Sequence, residues 1–457
     1  MAVKNRIDSE IPAGYTYLAQ FVDHDISLDS QSNKLPWIPI NVEQCFNERI
    51  PIFDLETLYG VNAEDDSVYL EKNSAFLKLG KTTVPSGSFL KKSLLLDLPR
   101  NENKKALILD SRNDENLLVA QTHVAFATFH NTIVYTLQNK GITDTTQLYK
   151  TAREQTIRHY QYLVITDLLD KILDKKVLER VKKEGNIFYN PDKDDTFIPL
   201  EYSAAAFRFG HSMVRNSYNL NSIKVQTLID LRLFTGESED KKKKLGKQAT
   251  LPSDWLINWK LFFDLDAGSA KPANFNFAHP IEPKLSSLLG DLIGFSDSNF
   301  RRVSSLAAFD LYRGQLFNLP FGKRLADELP PASLDADKIN RYLSENYEGV
   351  NLIKAFGDKV PLWFYLLAES DGNRMGKIGS RIIAEVFIEL IKRSPFSILT
   401  DETPAKFNFP ANGEDFYGTA DKVFGMAQML RFISDNPIII NGEAVNENFL
   451  DPVGSLS

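Results

Sequence analysis

Residues 19–26 read Ala19-Gln20-Phe21-Val22-Asp23-His24-Asp25-Ile26. The apolar residues of this stretch have the spacing of a buried helix, and polar side chains lie among them. We expect residues 15–26 to be helical. Gln20, Asp23 and His24 then share one face, because they lie three and four residues apart, whereas Asp25 points toward a different site. One helical turn therefore directs an amide, a carboxylate and an imidazole into one cavity. The alternative is a capped surface helix whose polar groups are solvated.

A second stretch, Arg208-Phe209-Gly210-His211, follows a helix-favouring run at residues 203–206 and puts Arg208 and His211 on one face. Together the two stretches resemble the animal-type haem peroxidase family, which includes the mammalian secreted peroxidases and, more distantly, the cyclooxygenases. The first stretch is similar to the family's Gln-x-x-Asp-His-Asp distal motif. The second is similar to its Arg-x-Gly-His proximal motif.

The resemblance implies a mostly α-helical fold, in which a single large helical domain encloses a haem. It further implies a short member of the family, of bacterial type. The haem is expected between the helices that carry His24 and His211, with His211 as the axial iron ligand. We assign residues 1–400 to the catalytic domain and residues 401–457 to a carboxy-terminal extension packed on the same domain.

A third segment, Asp110-Ser111-Arg112-Asn113-Asp114-Glu115, has the pattern of a helix start with Ser111 as N-cap. It resembles the family's Asp-x-Arg-x-x-Glu segment. The alternative is a capped turn with a solvated Arg-Glu pair, which the same sequence would fit. By the resemblance, Arg112 stabilises charge on the departing peroxide oxygen, and Gln20 completes the distal pocket. The carboxylates matching Asp23 and Glu115 form ester bonds to haem in mammalian relatives, so the cofactor is haem b or an ester-linked derivative.

The segment Ala308-Phe309-Asp310-Leu311-Tyr312-Arg313-Gly314 resembles the family's Asn-x-x-Arg segment, but Asp310 replaces the amide. In the family the first residue bonds the proximal histidine and the arginine meets a haem propionate, so Arg208 and Arg313 are expected to anchor propionates. A carboxylate on His211 would make the imidazole a stronger donor to iron and lower the reduction potential. The alternative is a surface acid at Asp310 paired with Arg313.

Residues 50–60 resemble the family's calcium loop. Calcium takes six to eight oxygen ligands, and the expected donors are Asp25, Asp54, Glu56 and the carbonyls of Ile50 and Ile52. Ile50 and Glu56 replace hydroxyl residues of the family pattern, so the site is changed in charge and size. The alternative is a plain turn in which Asp54 caps a helix.

The composition is that of an ordinary mildly acidic protein: 43% hydrophobic residues, 25% charged residues and a net charge of -7 over 457 residues. The sequence has no excess of basic residues, so nucleic acid is not an expected partner. We find no secretory signal and no membrane span, and a lone Cys45 excludes a disulfide framework. A soluble protein is expected, cytoplasmic rather than exported without a leader. The sequence does not indicate the oligomeric state.

The predicted activity is reduction of hydrogen peroxide with oxidation of a small donor of halide, thiocyanate or phenolic type. His24 is the expected base and Gln20 and Arg112 its distal partners. His123, His130 and His159 are interpreted as structural. The dioxygenase branch of the family carries a tyrosine three residues before the proximal histidine, where this chain has Arg208. A cyclooxygenase-like fatty-acid dioxygenase and a non-catalytic haem-binding protein are the alternatives.

Overall fold

A computed structural model describes most of the chain. The described residues are 8–29, 46–61, 66–192, 195–236, 249–266, 268–290, 305–329, 336–344, 346–347, 350–351, 356–357, 359–400, 424–440, 443–445 and 448–454. Cys45 lies outside them.

The described part is mostly helical, as expected. Its α-helices are α1 Gly14–Ile26, α2 Glu56–Tyr59, α3 Asp66–Tyr69, α4 Leu117–Asn139, α5 Thr145–Leu163, α6 Leu169–Ile172, α7 Lys175–Glu184, α8 Leu200–Ser203, α9 Gly210–Met213, α10 Leu306–Leu316, α11 Gly322–Glu328, α12 Ala336–Ser344, α13 Leu362–Ala368, α14 Lys377–Arg393 and α15 Met426–Ser434. Its 3-10 turns are Ser111–Asp114, Ala206–Phe209, Asp230–Arg232, Ser253–Trp255, Trp259–Leu261 and Ser287–Leu289.

Strands are short and form antiparallel pairs of two. They are β1 Ser217–Asn219 with β2 Val225–Thr227, β3 Asn346–Tyr347 with β4 Val350–Asn351, and β5 Ile438–Ile440 with β6 Glu443–Val445.

Helix α4 lies at the centre of the fold, and α1, α5 and α15 pack against it. From Leu117 to Val134 it is buried on every side, which is the pattern of a helix inside a large core. Asn116 begins it, since its side chain accepts from the amides of Leu118 and Val119 at 3.1 and 3.0 Å. The Phe21 ring of α1 stacks on Phe126 of α4 with centroids 4.9 Å apart, which fixes the polar face of α1 relative to α4.

Helix α1 begins at a residue that has to be small. A Cβ atom on Gly14 would lie 2.4 Å from the Phe263 ring and 2.6 Å from the Phe262 carbonyl oxygen. The Gly14 amide donates to that same carbonyl at 3.0 Å. Glycine therefore allows the start of α1 to lie directly on residues 262–263.

Apolar residues recur at steps of three and four from Ile157 to Ile172, and they are fully buried. The helix is interrupted, however, by a π turn at Val164–Leu168 between α5 and α6. Within this turn, Asp167 accepts from the Tyr15 hydroxyl at 2.5 Å and from the Met426 amide at 2.8 Å. The turn thus joins α1 to α15 through one carboxylate.

The segment after residue 424 packs on the helical core. The Phe424 ring contacts Phe129 of α4 and His159 of α5, with centroids 5.9 and 4.9 Å away. The Leu450 carbonyl accepts from the Trp259 amide at 2.9 Å. Residues 401–423 lie outside the described part, and the boundary at residue 400 stays a prediction.

One sequence-based expectation about a helix start is wrong. Ser111 is not an N-cap: Asp110 caps the 3-10 turn Ser111–Asp114, and Asn116 caps the separate helix α4. None of the described helices is both long and apolar enough to cross a bilayer.

Candidate functional site

Helix α1 has the two-sided polar arrangement that its sequence predicts. His24 and Asp25 are buried, at 6% and 0% exposure, while Gln20 and Asp23 remain partly exposed on the His24 side. Asp25 faces the loop before α2, where it accepts from the amides of Leu55 and Thr57 at 3.2 and 3.4 Å. The capped surface helix considered as an alternative is therefore excluded.

The His24 ring is fixed by an amide relay. His24 Nδ1 lies 2.8 Å from Asn113 Oδ1, and Asn113 Nδ2 lies 3.2 Å from His123 Nδ1. Since the amide nitrogen can only donate, it donates to His123, and the amide oxygen accepts from Nδ1–H of His24. The neutral His24 imidazole then carries its lone pair on Nε2.

The surroundings of His24 keep the ring neutral. Burial, with the charge of Arg112 adding to it, lowers the pKa of His24 from its usual 6.5 to about 4. The opposing influence of Asp110 and of the Asn113 hydrogen bond is smaller. At neutral pH the ring is therefore a proton acceptor at Nε2.

Arg112 is clamped beside His24. Its Nε and Nη2 donate to the two oxygens of Asp110 at 3.0 and 2.6 Å, and Nη2 also donates to the His24 carbonyl at 2.9 Å. Burial alone would raise the pKa of Asp110, but the hydrogen bonds and charge of Arg112 hold that pKa well below its usual range. The guanidinium thus contacts the backbone of His24, and its charge acts on the imidazole.

A second arginine extends this network into the α2 loop. Arg49 is 2.6 Å from Asp110 and 2.6 Å from Glu56, and all three side chains are less than a tenth exposed. Asp110 consequently bridges two guanidinium groups. Arg49 thereby connects the predicted calcium loop to the distal arginine.

Gln20 and Glu115 form the rim of the site. Gln20 donates through Nε2 to Glu115 and accepts at Oε1 from Asn116 at 3.1 Å. The Glu115 side chain remains solvent-accessible, yet desolvation by the surrounding protein raises its pKa. Glu115 is therefore accessible to a ligand while the protein around it disfavours its charged form.

Asp23 connects the two halves of the site. Its carboxylate accepts from Ser27 Oγ at 3.1 Å. Burial raises the pKa of Asp23, and the charges of Arg112, Arg208 and His211 oppose that rise. Asp23 therefore lies within electrostatic range of both the Arg112 side and the His211 side.

His211 follows the 3-10 turn Ala206–Phe209, at the start of α9, and it is held by Asp310 of α10. His211 Nδ1 is 2.7 Å from Asp310 Oδ2, and Arg208 Nη1 is 3.4 Å from Asp310 Oδ1. Asp310 is 1% exposed, while the His211 side chain is 29% exposed. Within the described residues Nε2 of His211 makes no hydrogen bond, so it is available to a ligand.

The alternative interpretation of Asp310 as a surface acid paired with Arg313 is wrong. Arg313 instead forms an ion pair with Asp29 and lies over the Phe317 ring at 5.2 Å. Both predicted propionate anchors, Arg208 and Arg313, therefore engage acidic side chains here.

The structure gathers only part of the predicted calcium ligand set. Asp25 and Asp54 interact, and after burial the charge of Asp54 is the main influence that raises the pKa of Asp25. Asp54 Oδ1 and Thr57 Oγ1 are buried without hydrogen-bond partners. Glu56 turns instead to Arg49 and accepts from the Ile50 amide at 3.1 Å.

The carbonyls of Ile50 and Ile52 accept from the amides of Ile52 and Asp54 at 2.8 and 3.2 Å. In the part of the chain that the structure describes, no three His, Cys, Asp or Glu residues are grouped to hold a metal ion. Calcium binding stays a prediction.

The donor set fits a haem. A histidine whose Nδ1 is held by a buried carboxylate has Nε2 free for iron. Arg112, beside the neutral His24, also acts on the Asp23 carboxylate by its charge. The hydroxyl of Tyr202, whose pKa is raised by burial and by the charge of Asp23, is buried without a partner. Side chains of the types that could hold a haem, a histidine with an available Nε2, polar groups near Asp23 and two carboxylates, are thus present.

The sequence alone did not identify Asn113 and Arg49 as residues of the site, and it did not show that Asp110 bridges Arg49 and Arg112. It also assigned His123 a purely structural role, although its Nδ1 orients Asn113. One signal was available for Asn113, which directly follows Arg112. For Arg49 there was none, because 63 residues separate it from Arg112 and only the fold brings them together. His130, bonded to the Tyr59 hydroxyl and the Ala75 carbonyl at 2.9 Å each, has the structural role predicted.

A sequence model described as animal haem peroxidase matches residues 19–249, just over half of the 457 residues. A peroxidase-like protein from Margaritifera margaritifera is 29% identical over 118 residues, which are 24% of this chain and 14% of that relative. The match therefore spans about a seventh of the relative's length.

Solved structures show the shared fold. Peroxidase A from Dictyostelium discoideum superposes with a TM-score of 0.62 at 15% identity, over 93% of this chain and 87% of that one. A fatty acid alpha-dioxygenase from Arabidopsis thaliana gives a TM-score of 0.56 at 14% identity, over 87% of this chain and 68% of that one. These relatives are eukaryotic, so the bacterial type stays a prediction. By the sequence match and the fold together, the chain belongs to the animal haem peroxidase family of haem-binding oxidoreductases.

Proposed function

We propose that the protein is a haem peroxidase that reduces hydrogen peroxide and oxidises a small donor. The observation that carries the proposal is the neutral His24 ring, whose Nε2 is left unprotonated by the Asn113 relay beside the clamped guanidinium of Arg112. A protein that only retained haem would need neither a free base nor a fixed cation at this position.

Haem, when bound, would supply the two electrons that break the O–O bond of hydrogen peroxide. His24 Nε2 accepts the proton from one peroxide oxygen and returns it to the other, which leaves as water. Arg112 stabilises the negative charge on the departing oxygen through its guanidinium. Small donor molecules then return the two electrons.

His211 would hold the iron through Nε2, with Asp310 fixing the tautomer from Nδ1. The carboxylate increases the electron-donating strength of the ring, which favours the oxidised states of the iron. Arg208 would anchor a propionate while keeping its contact with Asp310, and Arg313 is the other proposed anchor.

Asp23 and Glu115 are the carboxylates proposed to form ester bonds to the haem. Asp23 is partly exposed and Glu115 is exposed, so both can be reached, and burial by the surrounding protein raises the pKa of both. A covalent link would survive extraction with acidified acetone, whereas haem b would leave the protein.

Calcium is proposed at the α2 loop, between Asp25 and Asp54. Two adjacent buried carboxylates and the unpartnered Thr57 Oγ1 support a cation there. The Arg49–Glu56 pair removes Glu56 from this set.

The test is an absorption spectrum of the purified protein before and after addition of hydrogen peroxide. We expect a Soret band that shifts with peroxide and recovers when a reducing donor is added. Absence of a Soret band after haem reconstitution would refute the proposal. A band that does not respond to peroxide would favour a non-catalytic haem-binding protein.

A fatty-acid dioxygenase remains the second candidate because two enzymes of that class share the fold. Arg208 occupies the position where that branch has its tyrosine, which favours the peroxidase. Consumption of oxygen with a long-chain fatty acid, in the absence of added donor, would reverse this order.

A further inference from the structure

A cleft of about 620 Å³ opens near the start of α5, and the proposed chemistry does not use it. It is within the size range of small-molecule sites. Its lining residues are Leu70, Ser74, Thr145, Thr146, Tyr149, Lys150, Arg153, Glu154 and Phe396.

Arg153 is the most unusual group in this cleft. The residue is half-buried, and its Nε atom is buried without any hydrogen-bond partner. The guanidinium lies over the Tyr59 ring at 5.3 Å and the Phe396 ring at 5.9 Å. The charge of Arg153 acts to lower the pKa of Asp54, so the two side chains attract each other. Within the described residues, however, they form no ion pair. Nη1 and Nη2 are not buried, and within the described residues they have no acceptor either. The guanidinium can therefore pair with an anion that enters the cleft.

The other charged residues of the cleft also favour an anionic ligand. Lys150 is exposed one turn before Arg153, on the same side of α5. Glu154 is already paired with Arg158 at 3.1 Å. The amino end of the 19-residue helix α5 adds no surplus charge, because the carboxylate of its N-cap Asp144 accepts from the Gln147 amide there. The surplus charge of the cleft is therefore positive.

The remaining surface of the cleft is apolar. Phe396, Leu70 and the Tyr149 ring present carbon atoms beside the cation. A bare phosphate or sulfate ion would leave this surface in water, whereas an amphiphilic ligand would cover it.

We propose that this cleft binds a small organic carboxylate with an apolar body. Its carboxylate pairs with the guanidinium of Arg153, and its apolar body lies on Phe396 and Leu70. Lys150 adds long-range attraction from the rim. The proposal concerns a site separate from the haem cleft and is independent of the proposed peroxidase activity.

Isothermal titration calorimetry on the full-length protein tests it, with 4-phenylbutyrate as the probe. The uncharged 4-phenylbutyramide and inorganic phosphate are the comparison ligands. We expect 4-phenylbutyrate to bind at least tenfold more tightly than either of them. Equal binding of the amide would overturn the carboxylate part of the proposal, and equal binding of phosphate would overturn the apolar part.

Two substitutions locate the site. Arg153→Gln should weaken 4-phenylbutyrate binding about ten- to a hundredfold, as expected for a hydrogen-bonded charge pair. Lys150→Gln, at an exposed position that should not affect folding, should weaken it about two- to threefold. Arg180→Gln on the exposed side of α7 is the control and should change nothing. Unchanged affinity in Lys150→Gln and Arg153→Gln would place the binding elsewhere and refute the proposal.

Discussion

His24 and His211 differ in the group that holds their Nδ1 atoms. The Nδ1 of His24 meets the neutral amide of Asn113 at 2.8 Å, whereas that of His211 meets the carboxylate of Asp310 at 2.7 Å. Each contact fixes one tautomer and leaves Nε2 free. The two hydrogen-bond arrangements are therefore alike, and the charge of the group that bonds Nδ1 differs. The amide permits a ring that stays neutral and gives up a proton easily. The carboxylate creates an electron-rich ring suited to holding iron.

The largest effect is expected from removing the distal ring. His24→Ala should lower the rate of the peroxide reaction about 10²- to 10⁴-fold, because the proton then has no acceptor beside Arg112. Stopped-flow absorbance at equal haem content measures it. His130→Gln is the matched control, since His130 is a buried histidine outside the site. If His24→Ala reacted at the wild-type rate, the base would have to be another group.

Breaking the arginine bridge should test the framework around His24. Arg49→Gln leaves Glu56 and part of Asp110 buried without their cation, which typically costs about 3 kcal/mol of unfolding free energy. Urea unfolding measures it. Arg180→Gln, which breaks an exposed ion pair, should cost less than about 0.5 kcal/mol. A similar small cost for both variants would show that Arg49 has no structural importance.

Replacing the proximal carboxylate by an amide makes the two histidines alike. Asp310→Asn should weaken haem binding about 10- to 100-fold, as is typical when the hydrogen-bond partner of a metal-binding histidine is altered, and it should raise the reduction potential. Haem transfer to apomyoglobin and a redox titration measure the two quantities. A potential equal to that of the wild type would mean that the carboxylate does not influence the iron.

The reverse exchange on the distal side should change the pH profile. The pKa of His24 is about 4, so the ring can accept a proton at pH 5 and above, and the rate should fall only below about pH 4. In Asn113→Asp a carboxylate beside Nδ1 favours the protonated ring, which raises its pKa and moves the fall in rate to higher pH by about one unit. Asn116→Asp, on the Gln20 side of the cleft, is the comparison variant. An unmoved profile in Asn113→Asp would contradict the relay.

Much of this site could be predicted because helical spacing is local. The shared face of Gln20, Asp23 and His24 follows from steps of three and four residues, and so does the separate direction of Asp25. The carboxylate of Asp310 on His211 followed from the family pattern. What could not be predicted depends on tertiary contacts between distant segments. One case is Glu56, which was expected to bind calcium and instead pairs with Arg49. Another is Arg313, which pairs with Asp29 and not with Asp310.

The Asp167 carboxylate in the π turn has a consequence for proteolysis and for the design of shortened forms. It accepts from Tyr15 near the beginning of the described chain and from Met426 near its end. Terminal segments are usually the first to fray and the first that proteases cut. Here the loss of either segment would leave the partly buried Asp167 carboxylate, in the middle of the chain, without one of its donors. Both segments should therefore resist proteases until the central helices open, and trimming either one should lower the stability of the whole molecule.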